Sequence, residues 1–309
     1  MFDELFSERG LSLDRLRTFL EVAEAGGIAR AAKDDAVRQS QFSRQISELE
    51  QFFGVALTER RGKHLALNDH GRRLAAVVRE QLAGLHDFKC ECKSQPVLYT
   101  LGAGDSILQW LVLPSLGGWV ENMPQSRLGL KNLRSDHIVE QLLHARLDFG
   151  IVRAGTAVEP LKQVVIGQLP YALFIPETLV PRVRREDVAW MLGNLPWATL
   201  ATDASFLPRV KDAAARHGHN FEVLLEAESF PQAARAVATG AFAGILPVAA
   251  RPDFSGQKVL VLKPPFLSAV ARKLALVFHP RLLRIRPHAR AAADWLTREL
   301  KESLKKVPG

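Results

Sequence analysis

At Pro96 the apolar pattern of this chain changes period, and no other feature limits its fold as strongly. Before it, apolar residues recur at the spacing of one helix face. After it, short apolar runs alternate with helical stretches, the signature of an α/β domain. At 309 residues the chain also exceeds what one ordinary hydrophobic core supports, so the two patterns belong to separate domains.

In the first part Leu13, Leu16, Phe19, Leu20 and Ala23 mark a helix that Gly26-Gly27 ends. A short Ala-rich helix is expected over 28–36, then a third from about residue 39 to 53, closed by Gly54. The third has an apolar stripe of Phe42, Ile46, Leu49 and Phe53, with Gln39, Gln41, Arg44 and Gln45 towards the opposite side. Residues 57–67 fit a two-stranded wing whose tip carries Arg60, Arg61, Lys63 and His64 around Gly62. Asn68-Asp69 is a good N-cap pair for a long helix running towards Lys89. Its stripe of Leu74, Val78, Leu82 and Leu85, joined by Val77 and Phe88, has no obvious partner within the chain. Burial against a second copy is expected.

Beyond Pro96, strands are expected at 97–101, 127–130, 148–152, 171–175, 197–201, 221–225, 244–246 and 274–278. Helices are expected at 107–122, 138–145, 206–217, 231–239 and 288–304. The mix invites an enzyme reading, which the motifs do not support. Gly102-Ala103-Gly104-Asp105-Ser106 lacks the third glycine of a dinucleotide fingerprint and the Gly-Lys-Ser/Thr of a P-loop. Ser106 has no Gly-x-Ser-x-Gly frame. Cys90 and Cys92 fit neither a redox pair nor a zinc site, and His217 and His219 read as exposed loop residues, so no metal or cofactor is expected. No apolar run reaches membrane-spanning length, and the acidic, mixed start MFDELFSERG lacks a secretory signal's pattern. A cytoplasmic protein is expected.

Net charge is a poor guide to the partner. Residues 1–95 hold 15 Lys+Arg and 15 Asp+Glu, so the +8 of the chain lies beyond them. An interaction with nucleic acid must rest on local clustering.

That clustering comes with a recognisable order of residues. Leu16-Arg17-Thr18-Phe19, Ala31-Ala32 and the run Val37-Arg38-Gln39-Ser40-Gln41-Phe42-Ser43-Arg44-Gln45-Ile46-Ser47-Glu48-Leu49-Glu50 stand in register. Gly54-Val55-Ala56-Leu57-Thr58-Glu59-Arg60 and Leu67-Asn68-Asp69-His70-Gly71 follow. In this order they resemble the LysR-type transcriptional regulators. A weaker match at Leu113-Pro114, Leu147-Asp148-Phe149-Gly150-Ile151 and Gly244-Ile245-Leu246-Pro247 extends the resemblance over nearly the whole chain. Departures concentrate near the third helix: Asp35 replaces a usually buried Leu, Arg38 a Ser, Ser40 a Pro, Thr58 a Phe and Asn68 a Thr. A buried Asp35 would need a partner. Arg38 favours phosphate contact while opposing the helix dipole.

The resemblance implies an α+β multidomain chain. Residues 1–68 would form a winged helix-turn-helix, 69–95 a dimerisation linker helix, and 96–309 an α/β effector-binding domain. That domain would have two subdomains like those of periplasmic binding proteins, about 97–170 with 277–303 and about 171–276. It further implies double-stranded DNA, a small-molecule effector, a homodimer or homotetramer and RNA polymerase as partners, and no catalysis. Gln39, Gln41, Arg44 and Gln45 would enter the major groove, Arg38 and Ser43 of the same helix would also bind DNA, and Arg60, Arg61, Lys63 and His64 would meet phosphates or the minor groove. Asp105, Ser106, Asn132, Arg134, Arg153, Thr202, Ser205 and Phe230 would line the effector cleft; alternatively several of them are capping or surface residues. Arg134 and Arg153 suit a carboxylate, hence a small acidic metabolite, whereas Asp105 points the other way. The alternative is a clamshell binding protein whose operator recognition is lost or altered.

Overall fold

A computed structural model describes residues 2–7, 9–61, 64–201, 203 and 205–307. Lys63 and Thr202, and the side chains of Arg61 and His64, lie outside the described residues. The chain forms two compact units: Met1–Gln95 with Glu140–Asp148 and His279–Pro287, and Pro96–Val139 with Phe149–Phe278 and His288–Gly309.

The first unit begins with α1 (Asp3–Ser7), α2 (Leu13–Ala25), α3 (Ile28–Ala31) and α4 (Ala36–Phe53). The strands β1 (Thr58–Arg61) and β2 (His64–Leu67) pair antiparallel as a wing before α5 (Asp69–Cys92). Ser12 caps α2 by accepting from the Arg15 N–H, and Gly26 ends it at φ 71, a conformation that favours glycine. Phe19 and Val22 of α2, Phe42, Ile46 and Leu49 of α4, and Leu57 and Ala75 form one core. Burying each of the large members contributes about 1.5–3 kcal/mol. Glu50 ties α4 to the wing, its Oε1 accepting from the Leu57 N–H, the Thr58 N–H and the Thr58 hydroxyl at 2.8, 3.1 and 3.0 Å. Thr58, where the family's pattern has Phe, is thus a polar strut. Asn68 caps α5 by accepting from the Gly71 N–H at 2.9 Å, while its amide donates to the Ala56 carbonyl at 2.8 Å. A Cβ at Gly71 would sit 2.1 Å from the Leu57 carbonyl oxygen, so glycine is required there.

Three expectations change in this unit. Helix α3 stops at Ala31, followed by Lys33 and Asp34 at φ 52 and 61, and α4 starts at Ala36, earlier than the expected residue 39. Asp35 is exposed: its Oδ1 caps α4, accepting from the Val37 and Arg38 N–H groups at 2.9 and 3.1 Å. Phe53, expected in the α4 stripe, keeps 36% exposure.

The second unit holds two five-stranded sheets. The first has order β4-β3-β5-β12-β6, built from β3 (Val97–Ala103), β4 (Ser126–Asn132), β5 (Phe149–Arg153), β6 (Lys162–Leu169) and β12 (Arg272–Phe278). Strands β3, β4 and β5 are parallel, and β12 runs antiparallel to β5 and β6. The second has order β11-β7-β10-β8-β9, from β7 (Tyr171–Pro176), β8 (Trp197–Leu200), β9 (Val223–Ala227), β10 (Ala243–Pro247) and β11 (Val259–Leu262). Here β8, β9 and β10 are parallel, with β7 antiparallel. The chain crosses between the sheets twice, side by side, since Leu169 pairs with Arg272 at the crossings.

Helices α6 (Asp105–Ile107), α7 (Leu116–Asn122), α8 (Ser135–Leu143), α9 (Val188–Asn194), α10 (Phe206–Ala215), α11 (Phe230–Ala238), α12 (Leu282–Ile285) and α13 (Ala289–Lys306) complete the chain. The single helix expected over 107–122 is divided. A π turn at Leu108–Val112 and a 3-10 turn at Leu113–Ser115 separate α6 from α7, at Pro114, which has no N–H to donate. Strands β6 and β11 had no counterpart among the expected ones.

Candidate functional site

Helix α4 presents its solvent side as a row of polar and charged residues over the shared core. Gln41, Ser43 and Arg44 are exposed, whereas Gln39 and Gln45 are half-buried. The Gln45 side-chain oxygen is buried with no partner among the described residues, so part of that amide points into the unit. Arg44 stays 81% exposed although its Nε donates to Glu48 Oε1 at 3.0 Å. Glu48 also accepts from Arg15 Nε at 2.5 Å. Hydrogen bonds from Arg15 and then Arg44 hold its carboxyl below the usual range. Arg38 stands over the Phe42 ring, 5.3 Å from its centroid, and 4.0 Å from Glu21. Its charge at the helix start therefore has local compensation. Arg60 is exposed on β1. One residue escaped sequence reasoning: Val37, 78% exposed, lies on the same face as Gln41 and Arg44. An apolar side chain left in water at such a helix start suits a thymine methyl.

The stripe on α5 is divided between two environments. Leu74 packs against the core of the first unit and Val78 is buried, so both have partners within their own chain. This corrects the expectation that the whole stripe lacks one. Leu82 is half-buried, while Leu85 (58%), Phe88 (64%) and Val77 remain exposed. Further along, Arg286 donates to both Asp87 carboxylate oxygens, at 2.5 and 3.0 Å, and to Asp148 at 2.6 Å. Burial works against the Arg286 charge, but the bonds and charges of Asp87 and Asp148 outweigh it and raise its pKa.

A cleft of about 690 Å³ lies in the second unit, beyond the carboxyl ends of β3, β4 and β5 and of β8 and β9. This is where ligands bind in open α/β sheets. Asp105, Ser106, Asn132, Arg134, Arg153 and Phe230 all line it. Phe230 does so as part of the core: it is 2% exposed, its ring 5.5 Å from Tyr171 and 5.2 Å from Phe206. Ser205 does not line the cleft, because its hydroxyl is turned to Asp203, donating to Oδ1 at 2.7 Å. The residues missed include Asp203 and Arg272, both on the cleft wall. Asp203 Oδ2 accepts from Arg153 Nη2 at 2.8 Å and from Arg272 Nη2 at 2.6 Å. Burial pushes the Asp203 carboxyl up, but the Ser205 bonds and the charges of Arg272 and Arg153 outweigh it, leaving its pKa below the usual range. The Arg272 guanidinium stands over the rings of Phe206, Phe230 and Tyr171, 5.2, 5.6 and 5.8 Å from their centroids. Burial raises the Tyr171 hydroxyl to about 12, so it stays neutral beneath that cation.

Elsewhere, the His217 and His219 rings lie against Phe266, at 6.3 and 6.1 Å. Cys90 is buried with its sulfur 3.7 Å from His86 Nδ1, and Cys92 is exposed. Among the described residues no helix is long and apolar enough to cross a membrane.

Three helices that expose one helix face beside a two-stranded wing, joined to paired α/β sheets around a cleft, define a winged helix-turn-helix regulator with a ligand-binding part. Residues 13–72 match the bacterial regulatory helix-turn-helix protein, lysR family, and residues 98–301 match the LysR substrate binding domain. The chain belongs to the LysR family of transcriptional regulators, with an N-terminal DNA-binding helix-turn-helix and a C-terminal effector-binding domain. It is 25% identical over 291 residues to a probable nitrogen assimilation transcriptional activator of Synechococcus elongatus, covering 90% of this chain and 92% of that one. It is 24% identical over 239 residues to the HTH-type regulator YybE of Bacillus subtilis, covering 76% and 82%. Among solved structures it resembles a full-length OxyR variant of Pseudomonas aeruginosa (TM-score 0.65, 18% identity, 96% of each chain). It also resembles full-length LysG of Corynebacterium glutamicum with bound effector arginine (TM-score 0.64, 16% identity, 96% of this chain and 99% of that one). At these identities the likeness is one of fold.

Proposed function

We propose that this regulator reads operator DNA through α4 as a homodimer or homotetramer, and that a small acidic metabolite in the cleft changes that reading. The observation that carries the proposal is the exposed face of α4, where Gln41, Ser43 and Arg44 stand clear of the core that fixes the helix. Gln is suited to an adenine edge and Arg to guanine N7 and O6, while Arg38 and Arg60 are suited to phosphates. The wing residues Arg61, Lys63 and His64 join Arg60 in this reading. Exposed Val77, Leu85 and Phe88 on α5 would meet a second copy. Asn132, Arg134 and Arg153 in the cleft would hold the metabolite's carboxylate, with Ser106 beside them. The site belongs to a cytoplasmic protein that performs no catalysis and works at promoters with RNA polymerase.

Footprinting and gel shifts on DNA upstream of the gene test the DNA half. Arg44→Ala is expected to weaken specific binding by about 1–3 kcal/mol while leaving non-specific binding nearly unchanged. Equal affinity of the two proteins for the protected site, or no protected site, would overturn the reading.

A further inference from the structure

The cleft carries its own counter-anion. Asp203 receives four donors: Arg153 and Arg272 on Oδ2, and the Ser205 N–H and hydroxyl on Oδ1 at 3.1 and 2.7 Å. Proteins hold bound carboxylate ligands in this way, with charge-assisted bonds from fixed guanidinium groups. The two arginines differ in how firmly they are held. Arg272 is 17% exposed and seated over three buried rings. Arg153 is 39% exposed on the cleft wall, where solvent screens its pair with Asp203.

We propose that Asp203 is a displaceable internal ligand. It fills the anion subsite made by Arg153 and Arg272, so an external oxyanion enters there only by exchanging with it at Arg153. The proposal rests on the cleft reading above and names the group that decides which anions the cleft accepts. Exchange at Arg153 leaves Asp203 bound to Arg272 and Ser205, so no buried charge loses its partner. A simple inorganic anion gains nothing over the carboxylate already in place. An organic acid with further contacts, to Ser106 or Asn132 for example, does gain, and the subsite thereby ignores abundant inorganic anions.

Inorganic phosphate, titrated into the full-length protein at constant ionic strength while thermal unfolding is followed, is the probe. The natural protein is expected to show no saturable rise in its unfolding midpoint. Asp203→Asn, which removes the competing charge from both guanidinium groups, should show one, half-saturating at a phosphate concentration at least about tenfold below any at which the natural protein responds. Adding Arg153→Gln to it should abolish the response. Ser205→Ala, which loosens the carboxylate and keeps its charge, should give a smaller gain and serves if Asp203→Asn does not fold. Equal phosphate responses in the natural protein and both variants would overturn the proposal. The cleft reading is judged separately, by whether Ser106→Ala abolishes the footprint changes produced by a panel of small mono- and dicarboxylic acids.

Discussion

Asp35 illustrates how a single side chain can reverse its meaning once the backbone around it is known. In a buried position it would have been a cost; at the start of α4 it satisfies two N–H groups that no helical carbonyl can reach. Asp35→Ala is therefore expected to lower unfolding stability by about 1 kcal/mol in urea titrations, with Asp35→Asn close to neutral. The cap also positions Val37, whose exposed side chain begins the face proposed to read DNA. Val37→Ser should weaken binding at a footprinted site containing a contacted A·T pair, leave stability nearly unchanged, and have little effect where G·C stands at that pair.

At the scale of elements, the junction formed by α5, residues 140–148 and residues 279–287 concentrates buried charge. Arg286→Met would leave the buried Asp87 carboxylate without this cation, a loss of about 3–5 kcal/mol measurable by urea unfolding. The same junction holds His144 and His279, both kept below their ordinary 6.5, chiefly by burial and then by nearby arginine charge. Their imidazoles stay neutral in the fold where the unfolded chain would take up protons, so stability falls as pH drops below about 6.5. The His279 Nδ1 also accepts from the Arg281 N–H at 3.1 Å, a bond that protonation breaks. Glu80, raised by burial against the pull of Arg281, acts in the opposite sense at lower pH. Urea midpoints at about pH 7.5 and about pH 5.5 should differ less in a His144→Asn/His279→Asn protein. Elements with a strong apolar period, such as α2, α4, α5 and α13, were legible in the sequence, as were the buried runs of β5, β7, β8 and β10. Strand β6 was not, because Gly167 and the bulge opposite Leu274/Ala275 interrupt its alternation. The exposure of α4 at Gln41 and Arg44 was legible from register, whereas the half-burial of Gln39 and Gln45 was not. Asp203 and Arg272 were not legible, although Arg153 and Ser205 beside them were named, since the two arginines lie 50 and 69 residues from Asp203 and leave no local pattern.

At the scale of the molecule, assembly should depend on the exposed face of α5. Leu85→Asp with Phe88→Asp is expected to convert the oligomer to monomers in light-scattering chromatography and to weaken operator binding, since paired half-sites need paired heads. Retention of the native mass would place the interface elsewhere. The split of the chain into units has a bearing on how it can be cut. The boundary in sequence at Pro96 is not a boundary in charge, because Arg286 belongs to the same unit as Asp87. A fragment beginning at Pro96 keeps Asp148 but loses Asp87, which accepts two of the bonds that Arg286 donates, and opens the surface that met α5 to water. A truncation that retains α5 keeps the joint intact.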